Sequence, residues 1–170
     1  MNNDIFKLNR NVFNTPLEVG LRVLNILNEL KSVPIDINRL IIYDYFVLHA
    51  NDFNENYESL HPAIPHRTGE IIIKRKIIQE GIQLMYAKDL IDIKYTENGI
   101  YYSANELTSA FLNYFDSTYE TELIKNAQIV INEFKYYSEQ KLSEYVNDNL
   151  SNWGSEFSRE SLIRTWLDEY

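Results

Sequence analysis

Placed at 3.6 residues per turn, the segment from Pro16 to about Leu30 gathers Leu17, Val19, Leu21, Val23, Leu24, Ile26, Leu27 and Leu30 into a very broad apolar arc. Glu18, Arg22, Asn25 and Glu29 form the one clear polar stripe, with Glu18 and Arg22 spaced as an i,i+4 ion pair. The start signal is complete. Thr15 serves as N-cap, Pro16 takes the first helical position where its missing N–H costs nothing, and Glu18 sits three residues after the cap. Gly20 falls inside the apolar arc, which predicts the close approach of another backbone. A helix this apolar is either central to the core or shared with a second protein. On this reading Leu24 belongs to the core, whereas Arg22 lies on the polar stripe, where its substitution leaves the fold intact.

Further along, Asp36 can cap a second helix from Ile37 to about Ala50, after the Pro34 break. Residues 51–65 are polar, hold two prolines and read as a long loop. From about Thr68 to Lys88 the pattern turns helical again, with a break or bend expected near Gly81. Ile91, Ile93 and Tyr95 then alternate with Asp92, Lys94 and Thr96, and Asn98-Gly99 supplies a hairpin-turn dipeptide. A fourth helix follows over about 105–115. A fifth over about 118–138 has Tyr119, Leu123, Ile124, Ala127, Val130, Ile131, Phe134 and Tyr137 on one face. Shorter helices are expected over 139–152 and 158–168. The class is mainly α. The order helix, helix, helix, hairpin, helix is that of a winged-helix-like domain over 10–116, its hairpin the wing, with a C-terminal helical extension over 117–170 packed on it.

Composition narrows the class. A chain of 170 residues with 45% apolar content is long enough and apolar enough to bury a core. No apolar run approaches the roughly 18–20 residues that span a bilayer, and the opening MNNDIFKLNR lacks the apolar centre of a secretory signal. Cysteine is absent, which removes disulfides, thiolate nucleophiles and thiolate metal ligands. A cytoplasmic protein is the expectation. The net charge of −9 is unevenly spread: residues 1–94 carry 11 Lys and Arg against 12 Asp and Glu, residues 95–170 carry 5 against 13. An acidic C-terminal half repels nucleic-acid phosphates, so DNA contact there needs a local exception.

Motifs for chemistry are few. His61 and His66 lie in SLHPAIPHR, with His49 and Asp52 upstream, but the spacing matches no zinc signature. Histidines in such a proline-bounded loop more often anchor backbone. There is no phosphate-binding glycine loop and no G-x-S-x-G elbow. The reading is a chain with no catalytic residue, cofactor or metal, although carboxylate catalysis needs no motif. Arg67, Lys74, Arg75 and Lys76 form the one basic cluster, at or near the third helix. In a winged helix that region can enter the major groove. The isoleucines among them and the bracketing Glu70 and Glu80 favour a solvated or partner-facing patch. Thirteen tyrosines, many adjacent in sequence, exceed what one core face can take, so some must meet water or a partner.

FNTPLEVGLRVLNIL (13–27), IDINRLIIYDYFVLHANDF (35–53), ESLHPAIPHRTGEIIIKRKIIQEGIQLM (58–85) and NGIYYSANELTSAFL (98–112) together carry a family resemblance. Over roughly residues 10–150 the chain resembles one type of middle component of bacterial ABC-three-component systems, a group similar to the small Lamassu antiphage defence subunits (LmuC). The resemblance implies an accessory role without chemistry of its own. An SMC-like ABC ATPase supplies nucleotide hydrolysis and DNA sensing, an effector, often a nuclease, does the damage, and the small component joins or regulates them. DNA is then met through the complex or directly, through Arg67, Lys74, Arg75 and Lys76. Phe13, Asn14, Arg22, Tyr43, Tyr45, His61 and His66 are the candidate partner-facing residues. A stand-alone winged-helix transcriptional regulator is the other reading that the element order permits.

Overall fold

A computed structural model of the chain describes residues 15–31, 33–62 and 70–149, with residues 70–73 described in backbone only. Helix α1 (Pro16–Glu29) begins as its residues dictate, the Thr15 hydroxyl accepting from the Glu18 N–H at 3.3 Å. A two-residue strand β1 (Ile35–Asp36) leads directly into α2 (Ile37–Leu48). Asp36 serves both elements, since its carboxylate accepts from the Arg39 N–H at 2.8 Å as the cap of α2. A short 3-10 turn (Ala50–Asp52) opens the following loop. Helix α3 (Glu70–Tyr86), strands β2 (Ile91–Thr96) and β3 (Gly99–Ala104), and helices α4 (Glu106–Leu112), α5 (Thr118–Phe134) and α6 (Glu139–Asn149) complete the described chain. The helix expected over 158–168 lies outside the described residues. No described helix is long and apolar enough to cross a membrane.

The sheet is antiparallel in the order β1-β3-β2, with Tyr102 of β3 facing Ile35 on one side and Ile93 on the other. Two residues cannot display a periodicity, so β1 carries no signal in the sequence. Its existence is decided by the ladder that β3 offers. The hairpin turn also differs from expectation by one position. Thr96 pairs with Gly99, so Glu97 and Asn98 make the turn and Gly99 opens β3 with φ of 132°. The Thr96 hydroxyl closes the loop, donating to the Gly99 carbonyl at 3.0 Å and accepting from the Asn98 N–H at 3.2 Å.

Helix α3 is continuous through Gly81, where a break was expected. Gly81 is there for contact, not flexibility. A Cβ on it would lie 2.8 Å from the Gly20 backbone nitrogen and 3.1 Å from the Pro16 carbonyl oxygen, while one on Gly20 would lie 3.0 Å from the Gly81 oxygen and 2.6 Å from Met85 Cε. The two glycines face each other where α1 and α3 cross, and the backbones meet there as Gly20 predicted. One continuous apolar core runs from Val19 in α1 to Val146 in α6. Its aromatic centre is Phe46 stacked on Phe134, ring centroids 5.0 Å apart and planes 12° apart, with Phe53 and Tyr145 set edgewise or tilted against them.

Candidate functional site

The polar stripe of α1 is not a solvent face. Helices α2 and α5 cover much of it, and Arg22, Asn25 and Glu29 find partners there. Arg22, 2% exposed, grips Asp44 of α2, 1% exposed, as a two-pronged fork: Nε to Oδ1 at 2.8 Å and Nη2 to Oδ2 at 3.3 Å. Its Nη1 donates to Glu18 at 3.2 Å. One turn on, Asn25 donates to Glu120 of α5 at 3.0 Å, and Gln128 of α5 donates to Glu29 at 3.0 Å. Burial pushes the Asp44 carboxyl up, but Arg22 and then Lys74 outweigh it and hold its pKa below the ordinary value. Burial lowers the Arg22 pKa most, but the charge and hydrogen bond of Asp44, joined by Tyr119 and Glu18, together outweigh it and hold the pKa above the ordinary value.

Around this pair lies a shell of aromatic and histidine side chains. Tyr45 donates its hydroxyl to Asp52, its ring sits 5.0 Å from His49, and the Lys74 ammonium lies 5.1 Å from the ring centroid. His61 shares a hydrogen bond with the Tyr119 hydroxyl at 3.1 Å. Burial first, and then the Arg22 charge, lower the His61 pKa despite Glu18 and Asp44, which favours the neutral ring. The loop that carries His61 is held by amides. Asn126 of α5 donates to the Val47 and Glu58 carbonyls at 3.0 and 3.3 Å, and Asn51 donates to those of Glu55 and Tyr57. Between loop and helix end lies an open cleft of about 610 Å³, lined by His49, Asn51, Asp52, Tyr57, Glu58 and His61 among others. Among the described residues no three His, Asp or Glu side chains converge to hold a metal.

Several candidate residues therefore sit elsewhere than a surface reading requires. Arg22, Tyr43 and Tyr45 are interior, at 2%, 1% and 6% exposure. The reason is that α5, far away in sequence, closes over the polar side of α1 and the aromatic side of α2. His61 is half-buried beside the cleft, and Phe13, Asn14, His66 and Arg67 lie outside the described residues. The remaining basic residues diverge: Lys74 turns toward Tyr45 and Asp44, Arg75 donates to Asn38 of α2, and Lys76 faces out 4.0 Å from Glu80. Asp44, Asn126 and Arg39 were missed. Asp44 did leave a mark, as a lone carboxylate inside the apolar run LIIYDYFVL, which demands a buried partner. Arg39 left none. It donates to the Phe134 and Tyr137 carbonyls and to Glu139 at 3.4, 2.6 and 2.6 Å, tying α2 to the junction of α5 and α6.

The molecule is thus a small α-helical protein with a minor antiparallel sheet, in which Arg22, Arg39 and Asp44 of the first two helices are turned inward. A model of the ABC-three component (ABC-3C) system Middle Component 2 matches residues 12–156, and the chain belongs to that family. Comparison with curated proteins and with solved structures gave no match.

Proposed function

We infer that this chain is a non-catalytic accessory subunit that joins or regulates an SMC-like ABC ATPase and a nuclease effector in a Lamassu-type antiphage or antiplasmid complex. Family membership carries the reading, because the matched span takes in every described element and the family is the middle component of a system of three. The order α1-β1-α2-α3-β2-β3 with the sheet order β1-β3-β2 supports a winged-helix-like core serving as a scaffold. Using the third helix as a DNA-reading element is less well supported, since Lys74 and Arg75 contact Tyr45 and Asn38. Co-expression with the ABC ATPase component of such a system tests the proposal. The chain is expected to co-purify through a salt wash in at least one nucleotide state. Separate migration in every nucleotide state would falsify the reading. Salt-dependent duplex binding by the isolated chain, abolished by reversing Lys74, Arg75 and Lys76, would favour a transcriptional regulator instead.

A further inference from the structure

We propose that the outer face of α4, continued by the turn after it, docks a helix of a partner subunit that is apolar along one face and carries lysine or arginine beside it. The proposal rests on the reading of the chain as an accessory subunit and says where that subunit is gripped. Thr108 and Leu112 fix α4 to the body: both are buried, and the Thr108 hydroxyl donates to the Leu90 carbonyl at 2.7 Å. Leu107, Phe111, Tyr114 and Phe115 form the adjoining stripe at helical spacing. The spacing holds past the end of α4 because the Tyr114 and Phe115 N–H groups donate to the Phe111 and Leu112 carbonyls at 3.2 and 3.0 Å. Phe111 packs on the core and sets its ring edgewise to Phe115, centroids 5.3 Å apart, which orders the stripe before any partner arrives. Leu107, Tyr114 and Phe115 are 51%, 86% and 38% exposed.

An exposed apolar stripe with a polar rim marks a contact surface, and the rim says with what. From Tyr95 to Ile124 the chain holds no lysine or arginine but five carboxylates, on Glu97, Glu106, Asp116, Glu120 and Glu122. Glu106 and Asp116 bracket the stripe and are exposed. At its Leu107 end opens a cleft of about 580 Å³, lined by Asp89, Asp92, Asn105, Glu106 and Leu107 among others, with no basic side chain. Of Asp89, Asp92, Glu106 and Asp116, none forms an ion pair with a described residue. A second copy meeting this face with the same face brings carboxylate to carboxylate, and a nucleic acid brings phosphate. A partner helix with apolar residues at i, i+4 and i+7 covers the stretch from Leu107 to Tyr114, about 10 Å long at helical rise, and lays a basic residue in the cleft.

Variants of the full chain, co-expressed with the ATPase and effector components of such a system, test the docking. Leu107→Ser with Tyr114→Ser changes exposed positions only, so melting temperature should hold while partner recovered with the chain falls about tenfold or more. Glu106→Lys with Asp116→Lys should weaken recovery as well. Tyr136→Ser, a position as exposed as Tyr114 but beyond the far end of α5, should leave it unchanged. The photo-crosslinker p-benzoylphenylalanine at position 114 should capture a partner segment with apolar residues beside Lys or Arg, and it decides the matter if the serine variant melts early. No complex with the wild-type chain defeats the accessory-subunit reading, and the docking with it. Normal recovery with the serine variant, or capture only of residues 1–13, a second copy or an acidic segment, overturns the docking alone.

Discussion

Enclosing an arginine and an aspartate together strips both of hydration, and the pair is tolerable only because the fork geometry returns two charge-assisted hydrogen bonds. Removing one partner is therefore far worse than removing both. Arg22→Met, which abandons the Asp44 carboxylate, should cost about 3–5 kcal/mol in urea unfolding, whereas Arg22→Met with Asp44→Leu should recover most of it. Arg22→Glu, harmless on a surface stripe, should fail to fold. Acid acts on the same pair. Asp44 has a folded pKa below its unfolded value of about 3.9, so its contribution is complete above that pH and is lost as pH falls through the folded value. His61 acts in a higher window. Its folded pKa lies below the unfolded value of about 6.5, so the unfolded chain takes up a proton first and stability declines as pH falls below neutrality. Melting temperatures of His61→Gln between pH 7.5 and pH 5.5 should slope less steeply than those of the wild type.

At the scale of elements, the crossing of α1 and α3 depends on two missing side chains. Gly81→Ala gains helix propensity, about 1 kcal/mol, but drives a methyl group into the Gly20 backbone, which cannot yield. A net loss of about 1–3 kcal/mol is expected. Gly20→Ala meets chiefly the flexible end of Met85, although the Gly81 carbonyl is also close, so it should lose less. Denaturation midpoints of the two variants check the order. The start of α1 was legible because its cap is local: the Thr15 hydroxyl accepts from the Glu18 N–H within the same turn, and Pro16 has no N–H to satisfy. Gly81 was misread as a break because a glycine inside a helix looks the same whether it bends the helix or admits a neighbour.

At the scale of the molecule, α5 makes the fold. It covers the polar stripe of α1, pins the 50–62 loop through Asn126, and ends on the Arg39 guanidinium, which satisfies carbonyls that a helix terminus leaves open. Arg39→Lys keeps the charge but loses the fork, so hydrogen exchange should quicken around Phe134, Tyr137 and Glu139 while α1 and α3 stay protected. The acidic excess of the C-terminal half is partly explained by the same packing. Glu120 and Glu139 face Asn25 and Arg39, whereas Glu133, Glu144 and Asp148 face outward.

What the sequence determined by itself is the set of local facts: the capped first helix, the hairpin, the mainly helical class and the apolar positions such as Leu24 and Phe134 that form the core. Each follows from periodicity or from a side chain bonding its own turn. Only the tertiary structure decided what the polar residues do. A polar stripe reads as solvent-facing until the chain supplies a second polar surface to meet it, and α5, some 95 positions from Asn25, is that surface. The same holds for β1, a strand only because β3 pairs with it, and for Arg22, which acts as a core residue because Asp44 waits beneath it. Complementarity between distant segments is not written in either one alone, which is why the burial of these charges had to be seen in the folded molecule.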